Sequence, residues 1–173
     1  MMTVAGMEYG SVHHMTRSEV CFGFDIPPEA NAYLQQAAAE VASSEVAQQS
    51  LENARHSAPD NLQVLVALYK FHFYRGDIHK AMDYVFQTLV KSSRQGQFSH
   101  DWKTLSADSA DWKDPCGPAR VFLYSLKALA FIRLRQNDPD DAQSILEVLE
   151  RLDPSDQVGA GVIRDLLNGI SDA

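Results

Sequence analysis

The chain has 173 residues, of which 45% are hydrophobic and 22% charged, a composition that indicates one folded domain or a short array of repeats. Its formal charge of -8 gives no overall attraction to nucleic acid or anionic lipid, so we expect no nucleic acid and no membrane among its partners. The sequence shows neither a membrane-spanning apolar run nor a secretory signal, and its two cysteines lack CxxC spacing. These features predict a cytoplasmic protein.

Apolar residues recur at spacings of three and four along most of the chain, whereas alternating strand patterns are scarce. The sequence therefore predicts an all-α fold, with residues 1–24 as a mobile N-terminal arm and residues 25–173 as a single domain. The first predicted helix follows Asp25, which can cap it, and runs from Pro28 to about Ala42. A second is predicted over residues 45–57, with a break and a cap at Ser43-Ser44.

The next two predicted helices are separated by a Gly76-Asp77 turn. Asp60 is expected to cap helix 62–74, with Gln63 as its capping-box partner. The apolar run of this helix stops at Gly76. Asp77 is expected to cap the following helix, 78–92, which carries a clear apolar stripe.

The helical pattern lapses after residue 93, so residues 94–118 are predicted to be an insertion with at most a short helix over 106–112. Both tryptophans of the protein, Trp102 and Trp112, lie in it, each within an Asp-Trp-Lys triplet. They either anchor the insertion to the helices by burying apolar area or form a contact surface for a ligand. The sequence leaves both alternatives open.

Helical periodicity resumes over residues 119–135. Asn137-Asp138-Pro139 then supplies a stop, a cap and a first-turn proline for a helix that ends before Pro154. A last apolar stripe within residues 155–170 predicts a terminal helix, although Gly159 and Gly161 weaken its first turns.

An internal repeat emerges when the second helices of successive pairs are aligned. Ala47 and Ala81 are 34 residues apart, and Ala81 and Ala142 are 61 apart, which equals 34 plus an insertion of 27. A small residue at the same place in each pair predicts equivalent helix crossings.

This register resembles that of the tetratricopeptide repeat (TPR) family, whose unit is a 34-residue pair of antiparallel helices. The matching residues are Leu65, Leu68, Gly76-Asp77, Ala81, Tyr84 and Leu89 in the second unit, and Leu126, Leu129, Ala130, Asn137-Asp138, Ala142, Leu146 and Leu152-Asp153-Pro154 in the third. The resemblance implies a right-handed superhelix of three antiparallel helix pairs, at about residues 28–59, 60–93 and 119–154, with a capping helix at 155–170. The alternative is an irregular helical bundle. A fainter likeness, carried by no motif, is to small TPR proteins associated with bacterial nitrogen-fixation gene sets.

No catalytic, metal or cofactor pattern is visible in the sequence. His13, His14 and Cys21 match no zinc spacing, the other histidines are dispersed, and no glycine loop could cradle a phosphate. We therefore expect a protein that is not an enzyme and needs no cofactor.

In the TPR family the first helices of the pairs line a concave groove. The corresponding segments here, 62–75 and 117–136, hold six of the fifteen basic residues and no acidic residue. In the register of the two turns, the groove-facing positions are Gln63, Val66, Lys70, Phe73, Tyr74, Tyr124, Lys127, Phe131, Leu134 and Arg135. Aromatic and basic side chains of this kind favour an acidic and apolar segment of another protein as the ligand.

The sequence thus predicts a protein-binding module that acts as an adaptor, assembly factor or chaperone. Two alternatives stay open: an enzyme whose site on a helical array has no recognisable motif, and a structural subunit that self-associates into a homo-oligomer. The TPR clamp for chaperone C-terminal carboxylates is not expected, because Ala32, Gln36 and Ala39 stand in the first unit where that clamp needs asparagines and lysines.

Overall fold

The computed structural model describes residues 25–40 and 43–171, and within these residues the regular structure is entirely helical. It consists of α1 (Pro28–Ala39), α2 (Ser44–Ser57), α3 (Leu62–Tyr74), α4 (Ile78–Gly96), a 3-10 helix (Trp102–Thr104), α5 (Gly117–Arg135), α6 (Pro139–Leu152) and α7 (Gly161–Ser171). The predicted all-α class is therefore confirmed. The predicted N-terminal arm, residues 1–24, lies outside the described residues, as do residues 41–42 at the expected end of the first helix.

Helices that follow one another in the sequence pack against each other from α1 to α7. In addition, α3 contacts both α1 and α5, and α7 contacts both α5 and α6. The odd-numbered helices α1, α3 and α5 are therefore neighbours, and their apolar residues share one continuous core with those of α2, α4 and α6.

The three second helices begin in the same register. The fourth residue of α2, of α4 and of α6 is an alanine that is at most 1% exposed, and its backbone N–H donates to the carbonyl of the capping residue. These alanines are Ala47, Ala81 and Ala142. A side chain no larger than a methyl group therefore occupies the first turn of each second helix, where it is enclosed by the core.

The α3–α4 and α5–α6 turns share one geometry. In each turn a residue with positive φ, Gly76 at 79° or Asn137 at 60°, ends the preceding helix. The aspartate that follows, Asp77 or Asp138, donates its N–H over 2.9 Å to a carbonyl of that helix and caps the next one with its carboxylate. The capping roles predicted for both aspartates are confirmed.

Two other predicted caps were wrong. The capping residue of α3 is Asn61, whose side-chain oxygen accepts the N–H groups of Gln63 and Val64 at 3.0 and 3.3 Å. Asp60 instead forms an ion pair with Lys91 of α4, which draws its carboxylate away from the helix start. Asp25 does not cap α1, because Pro27 occupies the capping position without a side-chain hydrogen bond.

Helix α4 is longer than predicted, since it continues to Gly96 rather than stopping near Ser92. The hydroxyls of Ser92 and Ser93 are buried and donate to carbonyls one turn earlier, which satisfies these polar groups within the helix. Gln97, at φ 59°, then ends the helix in the left-handed conformation.

The insertion lies between α4 and α6, with Trp102 stacked on Phe86 of α4 and the Leu105 carbonyl accepting from Arg151 of α6 at 3.1 Å. The predicted short helix at 106–112 was wrong, because residues 106–112 form turns and the short helix lies at Trp102–Thr104. The Asp101 side chain accepts the Lys103 N–H and starts that helix. The first part of the insertion is thus fixed to α4 and α6, and its later part contacts α5 through Trp112 and Phe122.

Helix α7 begins at Gly161, later than the sequence pattern suggested, because the carboxylate of Asp156 accepts the N–H groups of Ala160 and Gly161 and sets the helix start. Its apolar side chains Ile163 and Leu167 are buried.

Candidate functional site

An aromatic patch, defined as Phe73, Tyr74 and Phe131, lies where the C-terminal half of α3 meets α5. The rings of Phe73 and Phe131 are 5.2 Å apart, and the Tyr74 ring lies 5.7 Å from that of Phe73 in an edge-on arrangement. The two phenylalanines are half-buried against the core, while Tyr74 is 47% exposed. The patch therefore offers partly accessible ring surface at the junction of two first helices.

One exposed arginine lies over this patch. The guanidinium carbon of Arg135 is 6.0 Å from the centre of the Phe73 ring. This distance allows a cation–π interaction that holds the guanidinium near the aromatic surface while its N–H groups face solvent. The patch and Arg135 can therefore receive an apolar side chain and a carboxylate together. A second pair, Arg75 at 5.3 Å from the centre of the Phe71 ring, lies on the other face of α3, because positions 71 and 73 are about 200° apart on a helix.

The predicted groove residues fall into two groups by exposure. Val66 is fully buried and Gln63 is 5% exposed, so neither presents side-chain surface to a ligand in this structure. The other eight predicted residues are half-buried or exposed: Lys70, Phe73, Tyr74, Tyr124, Lys127, Phe131, Leu134 and Arg135. The structure therefore brings the predicted residues near the C-terminal ends of α3 and α5 to the surface and buries those near the start of α3.

Lys127 has a structural partner that the sequence did not indicate. Its ammonium donates over 2.6 Å to the carbonyl of Val158, in the connection between α6 and α7, and also lies 5.7 Å from the centre of the Tyr124 ring. This hydrogen bond ties α5 to the connection that leads into α7. Lys127 therefore stabilises the end of the stack, whatever else it contacts.

Two other basic residues of α5 are likewise held by the fold. Arg120 is buried and donates to the carbonyl of Asp114 at 3.0 Å and to the side chain of Gln157, which joins the insertion to the α6–α7 connection. Arg133 forms an ion pair with Asp141 of α6, with an N···O distance of 2.7 Å. The cation-rich character of α5 is therefore partly structural, and Arg135 is its exposed cation beside the aromatic patch.

His72 lies on the opposite side of α3, stacked on Tyr84 of α4 with ring centres 5.5 Å apart. Its Nδ1 is 3.5 Å from a carboxylate oxygen of Asp77, and its buried Nε2 has no hydrogen-bond partner among the described residues. Burial lowers the pKa of His72, and the Asp77 carboxylate only partly opposes that effect. The imidazole is therefore neutral near pH 7 and belongs to the core of the second pair.

The contact between Phe71 and Arg75 was not predicted, although their spacing of four residues on a helix puts the two side chains on one face and was the available signal. The two tryptophans of the insertion, whose roles the sequence left open, differ in burial. Trp112 is 5% exposed and packs against Phe98 and Phe122, whereas Trp102 is half-exposed. Trp112 is therefore an anchor of the insertion.

Within the described residues, no group of three or more His, Cys, Asp or Glu side chains could hold a metal ion. None of the helices described is both long and apolar enough to cross a membrane.

No protein-family model matches the sequence, and no solved structure matches it significantly. A curated protein of Azotobacter chroococcum mcd 1 is 26% identical over 132 residues, which are 75% of this chain and 74% of that protein. Its description reads "uncharacterized 19.8 kDa protein in nifW 5'region". This chain is thus similar, over most of its length, to a protein described by its size and gene position.

Proposed function

We propose that this chain is a non-enzymatic, cytoplasmic protein-binding module in which the aromatic patch and Arg135 bind an acidic and apolar segment of another protein. In this role it acts as an adaptor, assembly factor or chaperone. The observation that carries the proposal is the contact between Phe73 and Phe131, which joins two first helices beside the exposed Tyr74 and Arg135. Aromatic rings and arginines in one place are typical of residues that dominate binding energy at protein interfaces.

The proposal includes a TPR-like stacking of three helix pairs closed by α7. Its support is the common register of Ala47, Ala81 and Ala142, together with the shared geometry of the α3–α4 and α5–α6 turns. Repeated pairs that stack side by side leave their first helices adjacent on one surface, which suits an extended ligand. The contacts of α3 with both α1 and α5 agree with this arrangement.

The proposal also concerns where the partner should be sought. The similar Azotobacter protein is described as lying in the nifW 5' region, and the sequence bears a faint likeness to small TPR proteins of nitrogen-fixation gene sets. We therefore propose a partner produced together with proteins of nitrogen fixation. The proteins captured from cells grown without fixed nitrogen should therefore be compared with those captured from cells grown with it.

The experiment is affinity capture from the native host with the tagged full chain, followed by mass spectrometry. The test variant is Arg135→Glu, which reverses the exposed cation of the patch. Its matched control is Lys103→Glu, which makes the same change in charge at an exposed position of the insertion.

We expect a specific partner to be captured by the parent and by the control variant, and to be lost from the patch variant. All three proteins should have closely similar melting temperatures, because the substituted side chains are exposed. A partner retained equally by the patch variant would contradict the proposed function and direct attention to Trp102 and the insertion.

A further inference from the structure

The outward side of α7 is an acidic and apolar surface, the α7 face, defined as Val162, Asp165, Leu166 and Gly169. Their spacing of three and four residues places them on one side of the helix. Val162 is 67% exposed, Asp165 and Gly169 are exposed, and Leu166 is half-buried. Beyond the backbone of α7 itself, no described atom lies within 4 Å of the point that a Cβ on Gly169 would occupy. The α7 face is therefore open to another molecule.

The α7 face points away from the chain to which it belongs. Ile163 and Leu167, on the opposite side of α7, are buried in the core. Arg164 forms an ion pair with Glu150 of α6, with an N···O distance of 3.6 Å. These contacts fix the rotation of α7 about its axis, so the α7 face cannot cover the aromatic patch of its own chain. Its contact has to come from a separate molecule.

The α7 face has the chemistry that suits the aromatic patch. Arg135 beside the patch and Asp165 on the α7 face are both exposed, and neither takes part in an ion pair among the described residues. An arginine and a carboxylate form charge-assisted hydrogen bonds. Val162 and Leu166 add apolar surface that can pack on the exposed ring of Tyr74. Charge and apolar character thus match between the two surfaces.

The two surfaces lie on neighbouring elements of each chain. Helix α7 contacts α5, whose last two turns carry Phe131 and Arg135. Lys127 of α5 donates to the carbonyl of Val158, which stands three residues before α7 begins. Arg135 is eight residues further along α5, or about 12 Å at about 1.5 Å per residue. Because each chain carries both surfaces close together, one two-fold axis can place the α7 face of each copy on the patch of the other.

We propose that the aromatic patch and Arg135 bind the α7 face of a second copy of this chain, which gives a reciprocal dimer with two identical contacts. So few residues belong to the class of interfaces below about 1,200 Å², which is typical of transient association, and the dissociation constant should be on the order of micromolar or weaker. At physiological ionic strength the charge of -8 on each copy is screened beyond about 8 Å, whereas Arg135 and Asp165 meet within that distance. The dimer covers the patch and competes with another protein, a regulatory meaning that rests on the proposed function.

The test is the oligomeric state of the purified full chain, measured by sedimentation velocity from about 5 µM to about 500 µM, the range expected for transient complexes. Arg135→Glu changes the patch side of the contact, and Asp165→Lys changes the α7 side. Their matched controls are Lys103→Glu in the insertion and Asp83→Lys on α4, which make the same charge changes at exposed positions outside both surfaces.

We expect the parent and both controls to form a dimer at the higher concentrations. Arg135→Glu and Asp165→Lys should each raise the dissociation constant of the dimer about tenfold or more, because each places like charges at both contacts. An equimolar mixture of these two variants should dimerise about as tightly as the parent. In the mixed dimer the introduced glutamate of one chain meets the introduced lysine of the other, and the second contact keeps its original pair. Thermal unfolding should be alike for all variants, because the four positions are exposed.

A parent chain that stays monomeric throughout this range would overturn the proposal. A dimer indifferent to Arg135→Glu would also do so, because two α7 faces would then meet each other, and a dimer indifferent to Asp165→Lys would leave α7 outside the interface. A mixture that dimerises no more tightly than its components, or species larger than a dimer, would exclude the reciprocal arrangement.

These results are separate from the test of the proposed function, because they use purified chain alone. Asp165→Lys leaves the aromatic patch intact, so it should capture at least as much of another protein as the parent does, even when no dimer forms. Loss of that protein from the Arg135→Glu variant tests the function of the patch.

Discussion

The ring of Phe73 in α3 packs against the ring of Phe131 in α5 with 5.2 Å between their centres, although the two residues are 58 positions apart in the chain. This contact requires α3 and α5 to be direct neighbours, so the insertion between their pairs cannot separate the first helices. The insertion packs against Phe86 of α4 and Arg151 of α6, and its Trp112 packs against Phe122 of α5. The contact between Phe73 and Phe131 therefore joins the surfaces of α3 and α5 although the insertion separates them in sequence.

The first prediction concerns the helix crossing at Ala142, which is completely buried in the first turn of α6. Ala142→Leu should lower the free energy of unfolding by about 1–3 kcal/mol, because a larger side chain overpacks a core without free space. Urea unfolding measures the change. The matched control is Ala38→Leu on the exposed surface of α1, which should change stability by less than about 0.5 kcal/mol. Equal effects of the two substitutions would contradict the proposed equivalence of the second helices.

The second prediction concerns the proposed role of α7 as the cover of the last helix pair. Ile163 is 4% exposed and Val162 is 67% exposed, so adjacent positions provide a test and a control. Ile163→Asp should destabilise the protein by more than about 2 kcal/mol and promote aggregation, because it removes buried apolar volume and places a carboxylate in the core. Val162→Asp should be nearly neutral. Light scattering and thermal unfolding distinguish the two, and a stable, monodisperse Ile163→Asp protein would show that α7 does not protect the stack.

These tests build on features that the sequence predicted because they are local. The Gly76-Asp77 and Asn137-Asp138 turns need only a residue that tolerates positive φ followed by a capping aspartate, and both are found as expected. The periodic apolar stripes also located every α-helix of the described residues, although the end of α4 and the starts of α5 and α7 differed. Hydrophobic periodicity and capping thus account for most of the fold.

The partners of the basic residues could not be predicted in this way. Arg120 and Lys127 donate to carbonyls of Asp114 and Val158, in loops whose positions depend on the whole stack. Any residue type offers a carbonyl, so such contacts leave no signature in the sequence. The sequence consequently overestimated how many cations α5 presents to a ligand.

The third prediction separates the two tryptophans of the insertion. Trp112 is buried against Phe98 and Phe122, and its indole N–H donates to the Ser106 carbonyl at 2.9 Å, so Trp112→Ala should destabilise the protein by about 3–5 kcal/mol. Trp102 is half-exposed and stacks on Phe86, so Trp102→Ala should cost much less. Urea unfolding of both variants measures the two losses of stability and shows which is larger. A smaller loss for Trp112→Ala than for Trp102→Ala would contradict the anchoring role of Trp112.

The fourth prediction is a pH dependence of stability that originates at His72. Burial lowers its pKa below the ordinary value of 6.5, against the attraction of Asp77 and Glu52 and with the help of Lys80 and Arg75. Below pH 6.5 the unfolded chain therefore binds more protons at this site than the folded chain. The free energy of unfolding should consequently fall as the pH decreases from 6.5 to the folded-state pKa, and it should level off below that value.

Urea unfolding at about pH 7.5 and about pH 5.5 measures this effect as the difference between the two free energies of unfolding. His72→Gln should reduce the difference, because the variant lacks the titrating group. His79→Gln, at an exposed position of α4, should leave the difference unchanged. An unaltered difference in the His72→Gln protein would assign the pH dependence to other groups.

The last prediction concerns the electrostatic share of ligand binding at the aromatic patch. Arg135 is exposed, so its attraction to a ligand carboxylate is screened by added salt. Raising the ionic strength from about 0.1 M to about 1 M shortens the Debye length from about 10 Å to about 3 Å, and the affinity for a captured partner should fall. Binding should weaken through a slower association rate in particular, because charges at the edge of an interface steer the encounter.

Surface plasmon resonance measures both the affinity and the association rate. The Lys103→Glu control should keep the salt dependence of the parent, whereas an affinity of the parent that is indifferent to salt would show that Arg135 does not meet a charged group of the ligand.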